Sequence, residues 1–407
     1  VVVLDRARIV TETGVISDGH IAVQGETIVA VGPNGPAGER PPPEADAVDL
    51  AGHWVLPGFV DLHNHGGGGG SYTTGDPESA LRAYRFHREH GTTTSIASLV
   101  TASVADLSRD VAALAELVED GVLAGLHLEG PFISAARCGA HDPGLLRAPD
   151  LDVLRSLLRA GRGAVRMITL APELDGGITA IRHLAESGVI AAVGHTDAAY
   201  HTAREAFAAG ATVATHLFNA MRPIHHREPG PITAALEHDR VIVELINDGV
   251  HLHDAVVRTV FGAVGPRRIA LITDAISAAG LPDGSFQLGP MRVRVEDGVA
   301  RLASSDAIAG STLTLDTALR RAVLDHGLSI VDVSAALSAT PARMLGLDDR
   351  IGTLRPDKRA DLVVLDAGLT VVGVMARGGW VSLPTNGHPG VFGNGRPAPP
   401  RPATEPA

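Results

Sequence analysis

Lysine is almost missing from this chain: among 407 residues the only one is Lys358, near the C-terminal end. A mechanism that needs a lysine in the body of the chain has almost nowhere to put it. Cysteine is as scarce, with Cys138 alone. No internal disulfide can form, which fits a reducing, cytoplasmic setting. Basic charge is in deficit too, with 34 Lys and Arg against 46 Asp and Glu and a net charge of −12. That argues against non-specific binding to DNA or to an acidic membrane. An anionic ligand must therefore meet a local positive cluster. No uninterrupted apolar run approaches the ~20 residues of a membrane span. Asp5, Arg6 and Arg8 break the first apolar stretch, so it does not read as a secretory leader.

What is present is ordinary globular material, 45% apolar and 20% charged, long enough for one large domain and a smaller one. Residues 6–32 alternate apolar and polar side chains around Gly and Asp turns, which predicts short strands. A Pro/Gly loop follows over 33–49. A similar strand-like pattern returns over 351–381. Between them, apolar strand-like runs begin near Val55, Thr92, Gly125, Val165, Val189, Thr212, Val241 and Ile269, separated by helix-like stretches. Eight βα repeats over about 270 residues favour a closed parallel barrel, with a doubly wound sheet as the runner-up. The expected architecture is α/β: a TIM-like (β/α)₈ barrel over 55–346. A small β-sandwich domain is expected from both chain ends, 1–54 and 347–385, followed by a disordered Pro/Gly-rich tail over 386–407. Residues 281–303 read as an inserted hairpin.

In such barrels the chemistry sits at the C-terminal ends of the strands. There the first run presents His63 and His65, which face the same side because they are two apart. The third ends in Glu129, the fifth in His195, the sixth in His216, the seventh in His251 and the eighth in Asp274. Any one of these taken alone could be a hydrogen-bonded core histidine or a helix cap. His63, His65, Glu129, His195, His216 and Asp274 together, in the same structural slot, point to zinc or a neighbouring divalent metal. Asp274 is the candidate proton carrier for hydrolysis, the alternatives being a ligand or a cap.

The phrases LPGFVDLHNHG, HLEGPF, GHTDA, THLFNAM, REPG, DGVHLH, TDAISAAG and AGSTLTLD run in order from Leu56 to Asp316. On these motifs the chain resembles the N-acetylglucosamine-6-phosphate deacetylases of the amidohydrolase superfamily. The resemblance implies removal of acetate from a phosphorylated N-acetyl amino sugar, with one or two divalent metals, most often zinc. It implies Glu129, His195 and His216 as ligands of the main metal and His63 and His65 as ligands of a second. It implies Asp274 as acid/base and His141 as both a substrate contact and an oxyanion donor. Ala140, Asn219, Ala220, Asp248, His251, Ala307, Ile308 and Ala309 are implied around the substrate. Arg227 is implied to reach the phosphate in the neighbouring subunit of a homodimer. Chemistry agrees: His225, His226 and Arg227 make a basic cluster in an acidic chain, and a guanidinium fork suits phosphate.

Other readings compete. Hydantoinase-like chemistry would need a carboxylated lysine on a barrel strand, which is absent here. N-acetylgalactosamine-6-phosphate is an alternative substrate, and a non-catalytic sugar-phosphate-binding barrel is a further one. His127 should face the same way as Glu129 and reads as a supporting or core residue. The glycines at 66–70 lack the lysine and hydroxyl of a phosphate loop and read as a flexible exit from the site. Cys138, three residues before His141, is either a redox-sensitive thiol near the substrate or an ordinary small side chain.

Overall fold

The computed structural model describes residues 1–35 and 46–384. The expected tail at 386–407 lies outside the described residues, as does most of the loop expected at 33–49. Eight parallel strands follow one another round a barrel in chain order. They are Phe59–Asp61, Thr92–Val100, Gly125–Glu129, Val165–Leu170, Ile190–Val193, Val213–Ala214, Ile242–Ile246 and Ile269–Ile272. Helices connect most of them. Their starts are set by local chemistry: Asp76, Ser103 and Asp150 each accept a backbone N–H of the first turn.

Alternation along the strands sorts the side chains. Leu126 and Leu128 of the third strand pack outward with the helices, in one cluster with Leu107, Val111 and Leu154. His127 and Glu129 point the other way, into the barrel. Val60, Ile96, Met167, Val213 and Ile272 belong to a separate inner cluster. The two faces of each strand are therefore both buried, as in other parallel barrels.

The apolar run beginning at Val55 serves two sheets. Trp54–Pro57 pairs with Val2–Thr11 and with Leu362–Leu365 in a separate eight-stranded sheet, and only Phe59–Asp61 enters the barrel. Gly58 marks the switch. A Cβ there would sit 2.2 Å from Thr93 Oγ1, so no larger residue fits between the two sheets. That second sheet is built from both ends of the chain, around a shared core that includes Leu4, Ile21, Val55, Leu362 and Met375. The expected hairpin at 281–303 is a three-stranded meander, Gly284–Leu288, Met291–Glu296 and Val299–Leu302.

No strand ladder joins the eighth strand to the first among the described residues. The seam is closed at the C-terminal mouth instead. Asp274 N–H donates to the His63 carbonyl at 2.8 Å, and His65 N–H donates to the Ala275 carbonyl at 2.8 Å. Beneath them Asp61 accepts from Thr273 Oγ1 at 2.6 Å and from Asn64 Nδ2 at 3.1 Å. Burial pushes the Asp61 carboxyl up to about 6 against these donors. The two strands that carry His63, His65 and Asp274 are thus locked to each other at the level of those side chains.

Candidate active site and metal centre

Glu129 is the last residue of the third strand, and His195, His216 and Asp274 each lie two residues beyond a strand end. His195, His216 and Asp274 hold left-handed backbone, with φ of 47°, 27° and 50°. Non-glycine residues rarely adopt this conformation, and where they do it is commonly to aim a functional side chain. All six candidate ligands, with His63 and His65, are more than nine-tenths buried.

Their polar atoms converge. His195 Nε2 and His216 Nε2 each lie 3.0 Å from Glu129 Oε1 and 3.1 Å from each other. On the other side, His65 Nε2 is 3.1 Å from Glu129 Oε2 and 3.1 Å from Asp274 Oδ1. His63 Nε2 is 3.1 Å from His65 Nε2 and 3.4 Å from Glu129 Oε1. Glu129 therefore stands between the two pairs of histidines. His63, His65 and Asp274 form one group of donor atoms within 4.8 Å of one another, and Glu129, His141 and His195 form another.

The outer nitrogens show what the inner ones present. His65 Nδ1 faces the Ser98 carbonyl at 3.1 Å, and His195 Nδ1 faces the Arg137 carbonyl at 3.0 Å. A carbonyl oxygen only accepts, so each Nδ1 carries a proton, and a ring with that single proton turns a bare Nε2 lone pair inward. Those lone pairs meet carboxylate oxygens, which are also acceptors. The contact is repulsive unless a proton or a cation lies between. Protons can serve: against burial, Asp274 and Glu129 draw His65 up to about 9, and they draw His63 well above its ordinary range. Protonating facing pairs of imidazoles 3.1 Å apart sets like charges against each other. A divalent cation relieves every contact at once, and the donor set fits one.

His141 differs. The Thr101 N–H donates to His141 Nδ1 at 3.3 Å, so the neutral ring carries its proton on Nε2. Burial holds this histidine down to about 4, against the pull of Glu129, so it is neutral near pH 7. It is a ready donor to a developing oxyanion. His127 is not among the converging atoms. It bridges Ser98 Oγ at 2.9 Å and Thr169 Oγ1 at 2.8 Å in the barrel interior.

A cavity of about 350 Å³ opens over the cluster. Of the residues expected around a substrate, Ala140, His141, Asn219, Ala220, His251 and Ile308 line it. Asp248 stands behind His251, with Oδ2 at 2.7 Å from His251 Nδ1. Burial opposes the charge on that imidazole, but Asp248 raises it above the usual value. Ala307 and Ala309 are tied into the meander: the Ala307 carbonyl accepts from Leu302 N–H, and Ala309 N–H donates to Ala300. Arg227 is exposed and is not brought to this cavity within the chain; its Nη1 lies 2.7 Å from His226 Nε2.

Cys138 also lines the cavity, as does Arg137, which the sequence reading did not single out. Arg137 pairs with Asp197 at 2.9 Å while its carbonyl orients His195. Glu244 was missed as well, although a carboxylate inside the apolar strand IVELI is itself a signal.

Imidazoles and carboxylates gathered round a cation position at the C-terminal mouth of a (β/α)₈ barrel define a metal-dependent hydrolase. The chain belongs to the amidohydrolase family, whose model matches residues 54–381. It is 36% identical to an N-acetylglucosamine-6-phosphate deacetylase of Bacillus subtilis (strain 168) across 91% of this chain and 94% of that one. It is 34% identical to an N-acetylgalactosamine-6-phosphate deacetylase of Escherichia coli O157:H7, covering 92% of this chain and 98% of that one. Among solved structures it resembles an N-acetyl-D-glucosamine-6-phosphate deacetylase mutant of Mycobacterium smegmatis in complex with N-acetyl-D-glucosamine-6-phosphate. The TM-score is 0.89 and the identity 47%, over 94% of this chain and 99% of that one. No helix among the described residues is long and apolar enough to cross a membrane.

Proposed function

We propose that this enzyme hydrolyses the acetamide of N-acetylglucosamine-6-phosphate to glucosamine-6-phosphate and acetate. The observation that carries the reading is the convergence of Glu129 with His195 and His216 on one side and His63, His65 and Asp274 on the other. Glu129, His195 and His216 would hold the principal cation, and His63 and His65 a second. Zinc suits a set of imidazole nitrogens and carboxylate oxygens. A divalent cation there, when bound, acidifies water and polarises a carbonyl.

The side chains do the remaining work. Water attacks the acetamide carbon, and the Asp274 carboxylate accepts its proton. The neutral His141 ring donates from Nε2 to the oxygen that gains charge. Asp274 then returns the proton to the nitrogen as the carbon–nitrogen bond breaks, giving the amine and acetic acid; the acid's proton, the second hydrogen of the attacking water, then passes to the amine or to solvent to leave acetate. Ala140, Asn219, Ala220 and Ile308 form the sugar side of the cavity, with Ala307 and Ala309 flanking Ile308 in the chain. His251, whose charge Asp248 favours against burial, faces the phosphate. Arg227 completes that site in a neighbouring subunit, since its exposed position suits a contact across a homodimer. A charged, phosphorylated substrate and a lone thiol support action in the cytoplasm.

The test is acetate release from N-acetylglucosamine-6-phosphate with added zinc. Absence of release at every metal loading would return a non-catalytic sugar-phosphate-binding barrel. The Escherichia coli relative favours one second reading, a preference for N-acetylgalactosamine-6-phosphate. Comparing kcat/KM for the two phosphorylated sugars decides between them.

A further inference from the structure

Glu244 lies in the middle of the seventh barrel strand and is fully buried. Its Oε2 accepts from His63 Nδ1 at 3.3 Å and from the His216 backbone N–H at 3.2 Å. Its own carbonyl accepts from Leu217 N–H at 2.8 Å. Its Oε1 has no hydrogen-bond partner, and among the described residues His63 is its one ionisable partner within 4.0 Å. A buried carboxylate with one unsatisfied oxygen and no guanidinium or ammonium beside it is costly to keep. Packing alone would be served at less cost by an apolar side chain, such as those that fill the rest of the strand IVELI. Its position beneath both groups of histidines accounts for its presence.

We propose that Glu244 is a positioning residue that presets both cation positions from below. By accepting the His63 Nδ1 proton it leaves His63 Nε2 as a bare donor, 3.1 Å from His65 Nε2. By clamping the backbone of His216 and Leu217 it holds His216 in the left-handed conformation that aims the ring at Glu129. One carboxylate, remote in sequence from both, thereby couples the two halves of the centre. Its negative charge also makes the His63 ring a more basic ligand, through the carboxylate–imidazole–cation arrangement. The inference rests on reading the cluster as a metal centre.

The experiment compares wild type, Glu244→Leu and Glu244→Gln by zinc competition against a chromogenic chelator, with ¹⁵N spectra of the metal-free histidines. Leucine removes both acceptor and charge, whereas glutamine keeps an oxygen for His63 and His216 but not the charge. Zinc affinity should fall about a hundredfold in the leucine variant and about tenfold in the glutamine variant. The hydrogen-bonded His63 Nδ1–H signal should be lost with leucine, which removes its acceptor, and persist with glutamine. A purely structural residue would behave differently: the metal-free melting temperature would move while the folded protein bound zinc as before. Affinity within about twofold of wild type in both variants overturns the proposal. If the leucine variant does not fold, unchanged affinity in the glutamine variant overturns it alone. Failure of the wild type to bind any divalent cation would instead sink the metal reading, and this inference with it.

Discussion

Replacing Asp274 by asparagine tests the assignment of proton transfer most directly. The side chain is 10% exposed, and its Oδ1 lies 3.1 Å from His65 Nε2 and 3.5 Å from His63 Nε2. Asparagine has the same shape and can keep an oxygen towards both rings, so the mouth of the barrel should stay assembled. The Asp274 backbone N–H that closes the seam on the His63 carbonyl is unaffected. What is lost is the ability to take and return a proton. General acid–base catalysis is worth about 10²–10⁴-fold, or about 3 to 5 kcal/mol of barrier. The expected result is a fall of that size in kcat with little change in KM, because the lost interaction belongs to the transition state. The assay is acetate release under saturating zinc, with metal content measured on the same samples and substrate binding followed by calorimetry. A variant that keeps more than about a tenth of the wild-type rate refutes the acid/base assignment. A variant that loses rate only in proportion to lost metal makes Asp274 a ligand and not a proton carrier.

His141→Phe removes the Nε2–H donor and should lower kcat by about 10²–10³-fold with KM nearly unchanged; a rise in KM alone would make His141 a binding contact only. Arg227→Ala should raise KM for the phosphorylated sugar far more than for the sugar without phosphate, and an equal rise for both removes Arg227 from phosphate binding. Because protons and cations compete for the same nitrogens, zinc affinity should depend on pH. The proton on His65, raised to about 9, stabilises the metal-free protein fully below the free histidine value of about 6.5, and that stability is lost as pH rises through about 9. Zinc affinity should therefore climb across that window, by about tenfold per pH unit for each proton displaced. A flat profile in chelator competition would refute the shared site.

Much of the centre was legible because a strand has period two. Leu126 and Leu128 alternate with His127 and Glu129 whatever the rest of the chain does, whereas His63 and His65 lie just beyond the strand Phe59–Asp61, where their direction is set by the contacts that close the barrel seam. His127 shows the limit of that rule. It shares a face with Glu129, yet it lies lower in the barrel and spends both nitrogens on Ser98 and Thr169. The run at Val55 read as one strand because nothing local reveals that Gly58 must pass against Thr93. Arg227 is exposed and away from the cavity of its own chain, so no contact within the chain assigns it a role.

Which residue types could hold a cation, and the strand ends that bear them, were settled by the linear order of side chains. Alternation and apolar runs are local properties, and they survive without any knowledge of neighbours. Protonation and aim were decided only by the folded molecule. Glu244 meets His63 across 181 positions, Thr101 meets His141 across 40, and the Arg137 carbonyl meets His195 across 58. Each contact decides where one hydrogen sits on one ring, and such through-space partners exist only once the barrel has closed.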